Sequence, residues 1–238
     1  KIMEDQMFLD CFGCDIDYSL GKNFADFADQ FSKDSRYRTE LYKLRRKFMS
    51  HADGLIHADL HTSNIMASRD KMKVIDMEFA FMGPFGYDLG YLVGNLISQY
   101  CAACFKRFPS EQNRKQFKAY LLATIQSLIE TYMKTFTLCW ERSVKERYRG
   151  QQGLLQSILQ EVMVDMPGYA SMVNWFRSVS EIPYPDFDVI ENKDAKRNAT
   201  VLSLMIDWGI MFGRYKYQSA DDLIETIIGI EEEFRKSL

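Results

Sequence analysis

The sequence contains no uninterrupted apolar run long enough to cross a membrane, although 47% of its residues are hydrophobic. The first residues, Lys-Ile-Met-Glu-Asp-Gln, do not resemble a signal peptide. A basic excess is also missing, since Lys and Arg number 30 against 33 Asp and Glu, a formal net charge of −3. These absences argue against a membrane protein and against a nucleic-acid-binding protein. We therefore expect a soluble, cytoplasmic protein.

The five cysteines include two C-x-x-C pairs, Cys11 with Cys14 and Cys101 with Cys104. Such a pair is the half-site of a zinc ribbon, but these two pairs are much further apart in the chain than ribbon half-sites are. Cys101 and Cys104 also fall in an apolar helical stretch, where cysteine commonly serves as a small hydrophobic residue. Reduced, mostly buried thiols are expected, and a zinc site is the alternative.

A polar turn at residues 69–71 separates two strand-like segments, residues 64–67 and residues 72–75. Two such segments joined by a short polar turn predict a β-hairpin. The hairpin would bring Asn64 and Asp76, which lie at its two open ends, close together.

Carboxylate and amide side chains recur at short spacings around this hairpin: Asp59, Asn64, Asp76 and Glu78. Phosphoryl transfer needs such a set, because one carboxylate orients a hydroxyl while the other oxygen ligands hold Mg²⁺ against the phosphates. The spacing His-x-Asp-x-x-x-x-Asn, followed by an Asp-x-x motif, is that of a kinase catalytic loop and its metal motif. We therefore expect a catalytic loop at residues 55–66.

Residues 57–65 read His-Ala-Asp-Leu-His-Thr-Ser-Asn-Ile, and residues 74–90 read Val-Ile-Asp-Met-Glu-Phe-Ala-Phe-Met-Gly-Pro-Phe-Gly-Tyr-Asp-Leu-Gly. The first segment resembles the His-Gly-Asp-Leu-His-Thr-Gly-Ser-Ile of methylthioribose kinases, which are aminoglycoside phosphotransferase-like small-molecule kinases. The second resembles their Val-Ile-Asp-Pro-Glu-Phe-Ala-Phe-Tyr-Gly-Pro-Met-Gly-Phe-Asp-Ile-Gly, including the Asp-x-Glu form that is a trait of this family. The resemblance implies ATP-dependent phosphorylation of a sugar hydroxyl, with 5-methylthioribose converted to its 1-phosphate in methionine salvage.

The resemblance also implies a role for each motif residue. Asp59 would be the catalytic residue, accepting the proton of the acceptor hydroxyl or orienting that hydroxyl. Asp76, Glu78 and Asn64 would hold the Mg²⁺ that bridges the phosphates of ATP, within a metal loop at residues 74–88. Asn64 stands where methylthioribose kinases usually have Ser, and it resembles the broader phosphotransferase pattern.

Further residues of the two motifs are expected to support the catalytic loop. The resemblance implies that His57 braces the loop and that His61 lies near the substrate. Asp88 precedes a predicted helix, residues 89–106, and its ordinary role would be that of an N-cap. The resemblance implies that Asp88 also bonds to the catalytic-loop backbone and holds the catalytic carboxylate in place. Ala58 replaces the usual glycine, a change that we expect to have little consequence.

A second region of resemblance, the predicted substrate segment, covers residues 168–187. Methylthioribose kinases have an arginine pair here, at the sugar site, where guanidinium donors can hold ribose hydroxyls. In this chain the pair reads Phe176-Arg177, and Pro183 stands where the family usually has His. Arg177 is therefore expected to bind the substrate, and a surface or interhelical salt bridge is the alternative.

Apolar residues recur at helical spacing in residues 22–32, 36–52, 111–148, 151–165, 192–213 and 219–236. Pro167-Gly168 predicts a helix break, residues 183–190 a loop, and residues 1–20 an extended segment. The expected fold class is α+β, mostly α. We expect a single domain over residues 1–238 that resembles the carboxyl-terminal lobe of protein kinases and carries a small catalytic β-hairpin.

The sequence lacks the parts of a kinase that cover the nucleotide. It has no G-x-G-x-x-G motif, and no β-rich segment precedes His57. The ATP-grasping amino-terminal lobe is therefore expected to be absent from this chain, and residues 1–238 alone are expected to bind ATP poorly and to be inactive. The alternatives are another aminoglycoside- or choline-type kinase and a lone lobe acting as a binding module. The resemblance also implies a homodimer.

A metal-dependent hydrolase is an alternative enzyme class that the spacing of two histidines allows. His57 and His61 have the i, i+4 spacing of a zincin helix, which reads His-Glu-x-x-His. Ala58 occupies the Glu position, however, and residues 55–60 read as a strand followed by a loop. A Zn²⁺-dependent hydrolase is therefore the less favoured prediction.

Overall fold

The computed structural model describes residues 2–9, 22–179 and 184–238 of the chain. The helices are α1 Ile2–Glu4, α2 Lys22–Lys33, α3 Ser35–Ser50, α4 Gly86–Phe105, α5 Glu111–Ser143, α6 Gln152–Val179, α7 Pro185–Asp188, α8 Lys193–Gly213 and α9 Ala220–Lys236, and the strands are β1 Gly54–Ile56, β2 Ile65–Ala67, β3 Met72–Val74 and β4 Phe81–Gly83. β1 pairs antiparallel with β4, and β2 pairs antiparallel with β3. The predicted α+β, mostly α fold class is therefore confirmed. No helix in the described ranges combines the length and apolar character needed to cross a membrane.

The long helices predicted from apolar periodicity are present, and polar side chains define where several of them begin. Asp34 caps α3 by accepting hydrogen bonds from the backbone N–H groups of Arg36 at 2.8 Å and Tyr37 at 3.1 Å. Ser219 and Asp222 form a capping box at the start of α9. These contacts satisfy backbone donors that have no partner within their own helix.

The helix break predicted at Pro167-Gly168 is wrong, because α6 continues through both residues. Proline removes one backbone N–H group from a helix and normally kinks it. Here α6 packs so closely along α4 that a side chain at Gly90 or Gly94 would collide with the α6 backbone. Arg214 Nη1 also donates a hydrogen bond to Val164 O at 3.1 Å, shortly before the proline. Tertiary packing therefore holds the helix together across a residue that locally favours a break.

The first described residues form helical turns instead of the predicted extended segment. Asp5–Leu9 is a π-helical turn in which Met7 and Phe8 are both buried. An extended strand would point these neighbouring side chains in opposite directions, whereas a helical turn allows both to be buried. The Phe8 ring lies 5.2 Å from the Phe48 ring. Phe12, which the prediction also used, lies outside the described residues.

Helix α4 lies at the centre of the molecule and packs against α5, α6 and α8. Cys101 and Cys104 are buried in the core along α4, as expected of small hydrophobic residues. Burial raises the pKa of the Cys104 thiol to about 12. Among the described residues, no three His, Cys, Asp or Glu side chains converge in a metal-binding geometry. Cys11 and Cys14 lie outside those residues.

Asp207 on α8 is fully buried, and its Oδ2 has no hydrogen-bond partner within the described part of the chain. Asn174 Nδ2 donates to its other oxygen, Oδ1, at 2.8 Å. Burial raises the pKa of Asp207 well above its usual value despite this bond. The folded protein therefore keeps a proton that the unfolded chain releases above about pH 4. This difference makes the free energy of unfolding fall as the pH rises.

In Asp207→Asn, the free energy of unfolding is expected to decrease less as the pH rises, because an amide has nearly the same volume and carries no titratable proton. The slope of the free energy of unfolding between pH 4 and pH 7 is expected to become less negative by up to about 1.4 kcal/mol per pH unit. Urea denaturation at three pH values measures the slope, and Asp194→Asn, at an exposed position, is the control. Equal slopes in the parent and in Asp207→Asn would contradict a protonated Asp207.

Candidate active site

Two antiparallel strand pairs bring the predicted catalytic loop and the predicted metal loop together. β1 leads into the catalytic loop and pairs with β4, which follows Asp76 and Glu78 within the metal loop. The predicted hairpin is confirmed as β2–β3, and at its open end Ile75 N donates to Asn64 O at 3.0 Å. The segments that carry Asp59 and Asp76 therefore lie side by side.

Asp88 is bonded to the backbone of the catalytic loop. Its Oδ2 accepts a hydrogen bond from His57 N at 2.6 Å, and its Oδ1 accepts one from Ala58 N at 2.9 Å. The predicted N-cap role is wrong, because α4 begins at Gly86 and Asp88 already lies in its first turn. The loop contact that the family resemblance implies is present. Burial raises the pKa of Asp88, although the two backbone bonds favour the ionised carboxylate.

His57 connects the catalytic loop to the metal loop from a buried position. Its Nδ1 accepts a hydrogen bond from Asp59 N at 3.3 Å, and its Nε2 lies 2.8 Å from Ile75 O. A tautomer with the proton on Nε2 satisfies both contacts. Both ring nitrogens are thus engaged, and residues 57–61 are not helical. The pair of His57 and His61 therefore lacks the geometry that the hydrolase alternative requires.

Ala58 has a backbone φ of 69°, in the left-handed region that glycine adopts more readily than other residues. An alanine in this region holds a strain of about 1–2 kcal/mol. The replacement of the family's glycine is therefore less neutral than the sequence predicts. The bond from Ala58 N to Asp88 and the complete burial of the methyl group hold this conformation.

Asp59 is partly buried, and two side chains act on its carboxylate. His61 Nε2 lies 3.6 Å from Asp59 Oδ2, and Tyr91 on α4 is the second neighbour. Burial opposes ionisation, but the contacts with His61 and Tyr91 outweigh it and lower the pKa of Asp59. Asn64 Nδ2 donates to Asp59 O at 3.0 Å. Asp59 is therefore ionised at neutral pH and able to accept a proton or a hydrogen bond from a hydroxyl.

Asp76 and Glu78 lie on an exposed turn of the metal loop. The backbone φ of Asp76 is 64°, a strained conformation of the kind that is common at functional sites. Asn64 uses its Nδ2 on Asp59 O, so its amide oxygen is the atom left for a cation. Mg²⁺ is usually held by one or two carboxylates together with phosphate oxygens and water. The residues present therefore fit a Mg²⁺ ion that arrives with a phosphate ligand.

Arg177, near the end of α6, is paired with Asp186 in α7. Its Nε and Nη2 donate to Asp186 Oδ2 at 2.8 and 2.5 Å, and its guanidinium lies 4.4 Å from the centre of the Tyr184 ring. The interhelical salt bridge that the sequence left open is therefore present. The surrounding segment, predicted as a loop, contains the short helix Pro185–Asp188. Pro183 lies outside the described residues.

A polar stripe along α4 faces the catalytic loop, and this α4 polar stripe consists of Asp88, Tyr91, Asn95 and Gln99. Sequence reasoning identified Asp88 and missed the other three residues. Asn95 is fully buried, and its Oδ1 accepts hydrogen bonds from Thr62 N at 2.9 Å and from Thr62 Oγ1 at 2.8 Å. Gln99 Nε2 donates to Thr62 Oγ1 at 3.4 Å. Spacings of three and four residues place the stripe on one helix face. That polar periodicity, in an otherwise apolar helix, is the signal that could have identified it.

Comparison with known proteins supports the interpretation of these motifs. The profile of the phosphotransferase enzyme family matches residues 17–128. A methylthioribose kinase of Geobacillus thermodenitrificans (strain NG80-2) is 32% identical over 235 residues, which are 97% of this chain and 56% of that protein. The methylthioribose kinase of Geobacillus kaustophilus (strain HTA426) is 32% identical over 226 residues, 93% of this chain and 54% of that protein. The methylthioribose kinase of Bacillus cereus (strain B4264) is 29% identical over 221 residues, which are 93% of this chain and 53% of that protein.

The chain spans just over half the length of these curated relatives. The stretch that matches the family profile includes the catalytic loop, the hairpin, the metal loop and α4. The resemblance predicted from the two motifs is confirmed by both kinds of comparison. The chain is therefore similar to the phosphotransferase enzyme family over residues 17–128 and to methylthioribose kinases over nearly its whole length.

Proposed function

We propose that this chain carries the catalytic residues of an ATP-dependent kinase that phosphorylates a sugar hydroxyl, with 5-methylthioribose as the acceptor. One arrangement carries the proposal: the ionised carboxylate of Asp59 lies on a loop held by Asp88 and His57, and His57 Nε2 bonds this loop to Ile75 O, directly before Asp76 and the exposed Glu78. The similarity to methylthioribose kinases supports the choice of acceptor and a place in methionine salvage.

Asp59 would orient the acceptor hydroxyl and accept its proton as the new bond to phosphorus forms. Asp76 and Glu78, with the amide oxygen of Asn64, would hold Mg²⁺, which together with ATP supplies the phosphoryl group and neutralises its charge. His61, whose Nε2 is 3.6 Å from Asp59 Oδ2, would contact the acceptor next to the hydroxyl that reacts.

Arg177 and Tyr184 would form a wall of the acceptor site, because the Arg177 guanidinium lies over the Tyr184 ring and the helix α7 that follows Tyr184 packs against α4. The Asp186 carboxylate balances the charge of Arg177 and fixes its guanidinium. An arginine that is already paired can donate hydrogen bonds to hydroxyls but offers little net charge to an anion. This pairing supports a neutral sugar as the acceptor.

A further part of the enzyme would have to cover the nucleotide. Apolar side chains on the hairpin and the metal loop are strongly exposed, with exposed fractions of 62% for Met66, 69% for Met72 and 51% for Met77. Met72 and the exposed Val74, two residues apart on β3, share one face of the hairpin, and exposed apolar surface of this kind marks a contact with a ligand or with protein. We propose that ATP lies between this surface and a nucleotide-binding lobe outside residues 1–238. We also propose that the protein forms a homodimer and is located in the cytoplasm.

The test is an ADP-release assay on the longest natural form of the protein, with Mg·ATP and either methylthioribose, choline or kanamycin. We expect saturable ADP formation with methylthioribose alone. Transfer to choline or kanamycin instead would favour another small-molecule kinase. Binding of Mg·ATP without transfer to any acceptor would favour a binding module. Micromolar binding of Mg·ATP to residues 1–238 in a calorimetric titration would contradict the need for a further lobe.

A further inference from the structure

Helix α4 holds the catalytic loop at two points, one at each end of the loop. At the start, the Asp88 carboxylate accepts hydrogen bonds from the backbone of His57 and Ala58. At the end, Asn95 Oδ1 accepts two hydrogen bonds from Thr62, one from its backbone N–H group at 2.9 Å and one from its hydroxyl at 2.8 Å. The loop is therefore fixed on both sides of the catalytic carboxylate.

The side chain of Asn95 is fully buried, and its Nδ2 has no hydrogen-bond partner within the described part of the chain. A buried donor without a partner lowers the stability of a protein. An apolar side chain of similar size would avoid this loss, but it would offer no acceptor to the two donors of Thr62. The contact with Thr62 therefore accounts for an asparagine at this buried position.

Thr62 is the first residue of a short 3₁₀-helical turn, Thr62–Asn64, which ends at the proposed Mg²⁺ ligand. The first N–H groups of a helical turn have no partner within the turn itself. The side chain of the preceding residue, His61, does not cap this turn. Asn95 on α4 takes that place by accepting from Thr62 N. The start of the turn is therefore fixed by a side chain from a distant segment.

Asn64, at the end of the turn, bonds to both loops of the site. Its Nδ2 donates to Asp59 O at 3.0 Å, and its backbone O accepts from Ile75 N, directly before Asp76, at 3.0 Å. Because Nδ2 and Oδ1 belong to one planar amide, the bond from Nδ2 also fixes the position of Oδ1. A shift of the turn would therefore move the oxygen that is available to Mg²⁺.

Building on the proposed function, we propose that Asn95 is a positioning residue, which fixes the turn through Thr62 and so places the Asn64 amide oxygen for Mg²⁺. Replacing a residue that holds a metal ligand commonly lowers metal affinity or activity by about 10–100-fold. The bonds of Asn64 to Asp59 and Ile75 remain when Asn95 is replaced. The lower end of that range is therefore expected here.

The kinetic test compares Asn95→Leu with Ser98→Ala in the longest natural form of the protein. Ser98 lies one turn later on α4, is fully buried, and donates to Asn174 Oδ1 on α6 at 2.7 Å instead of contacting the loop. Asn95→Leu is expected to raise KM for Mg·ATP about tenfold, while kcat and KM for the acceptor change little. Ser98→Ala is expected to leave all three parameters unchanged, although it removes a buried hydrogen bond.

Two variants at the other end of the contact test the same link without changing the core, because Thr62 is only half-buried. Thr62→Val keeps the shape of the side chain and removes its hydroxyl. It is expected to raise KM for Mg·ATP about threefold, the effect of losing one hydrogen bond between neutral groups. Thr62→Ser keeps the hydroxyl and is expected to match the parent. This pair decides the proposal if Asn95→Leu does not fold.

Amide hydrogen exchange, followed by NMR without ATP or Mg²⁺, reports on the turn directly. In Asn95→Leu, the amides of Thr62 and Asn64 are expected to exchange faster, beyond any change at a core amide of α4 such as Ile97. The amide of Ala58, which α4 holds at the other end of the loop, is expected to keep the parent's rate. A general loss of stability would accelerate all of these amides together.

Equal KM values for Mg·ATP in Asn95→Leu and Ser98→Ala would overturn the proposal, as would a Thr62→Val protein with the parent's KM. Parent-like exchange at Thr62 and Asn64 in Asn95→Leu would also overturn it. A lower kcat with constant KM for Mg·ATP would contradict it too, because Asn95 would then act on the catalytic carboxylate. The exchange measurement requires no turnover. A protein that transfers no phosphate would therefore refute the proposed function, while exchange would still decide whether Asn95 fixes the turn.

Discussion

Asp59→Asn is expected to lower kcat of the proposed kinase by about 10²–10⁴-fold, the range observed when a general base is removed. Asparagine has the same shape as aspartate, but it accepts no proton from the acceptor hydroxyl. Its amide group would also face the His61 and Tyr91 groups that now contact a carboxylate. The residues proposed to hold Mg²⁺ and ATP are unchanged, so KM for ATP is expected to remain nearly constant. Steady-state kinetics with methylthioribose measures both parameters.

Asp53→Asn is the matched control for this variant, because Asp53 is an exposed aspartate that directly precedes β1. Its kcat is expected to equal that of the parent. The loss of kcat expected for removal of a base is at least about 10²-fold. If Asp59→Asn lost only about tenfold or less, Asp59 would not be the proton acceptor. The hydroxyl would then be activated in another way.

Asp88→Ala is expected to lower the free energy of unfolding by about 2 kcal/mol or more, because each buried donor left without a partner costs about 1–3 kcal/mol. The two donors are the backbone N–H groups of His57 and Ala58, which are both buried. The unfavourable burial of the Asp88 carboxylate itself offsets part of this loss. Denaturation with guanidinium chloride measures the change in stability.

Hydrogen exchange gives a local measurement of the same contact. In Asp88→Ala, the amides of His57 and Ala58 are expected to exchange faster, beyond any general increase that core amides of α4, such as Ile97, also show. Asp88→Asn keeps one acceptor oxygen and is expected to give an intermediate result. Unchanged exchange at His57 and Ala58 would show that the loop does not depend on Asp88.

The hairpin and the long helices could be predicted because both depend on neighbours in the chain. The polar turn at residues 69–71 lies between two strand-like runs, and apolar residues recur every three to four positions through the helices. The candidate site could be recognised for a similar reason. Asp59, Asn64, Asp76 and Glu78 lie within one short segment, so their spacing is visible in the sequence.

Other features could not be predicted because they depend on contacts between distant segments. The local pattern placed Asp88 at a helix N-cap, yet α4 starts earlier, and only the family resemblance pointed to the bond with the catalytic loop. Pro167 was expected to end a helix, yet packing of α6 against α4 carries the helix through it. Whether Arg177 takes part in a salt bridge could not be predicted either, because only the folded position of Asp186 shows the pairing.

The sequence by itself determined the hairpin, most of the long helices, the fold class and the chemistry that the catalytic loop and the metal loop can carry, because local patterns and short spacings encode these properties. Only the tertiary structure decided how Asp59 is held. Its neighbours Tyr91 and Asp88 lie on a helix some thirty residues further along the chain, and their contacts exist only once that helix packs against the loop. Hydrogen bonds and burial at such distances depend on the packed arrangement, which no local pattern contains.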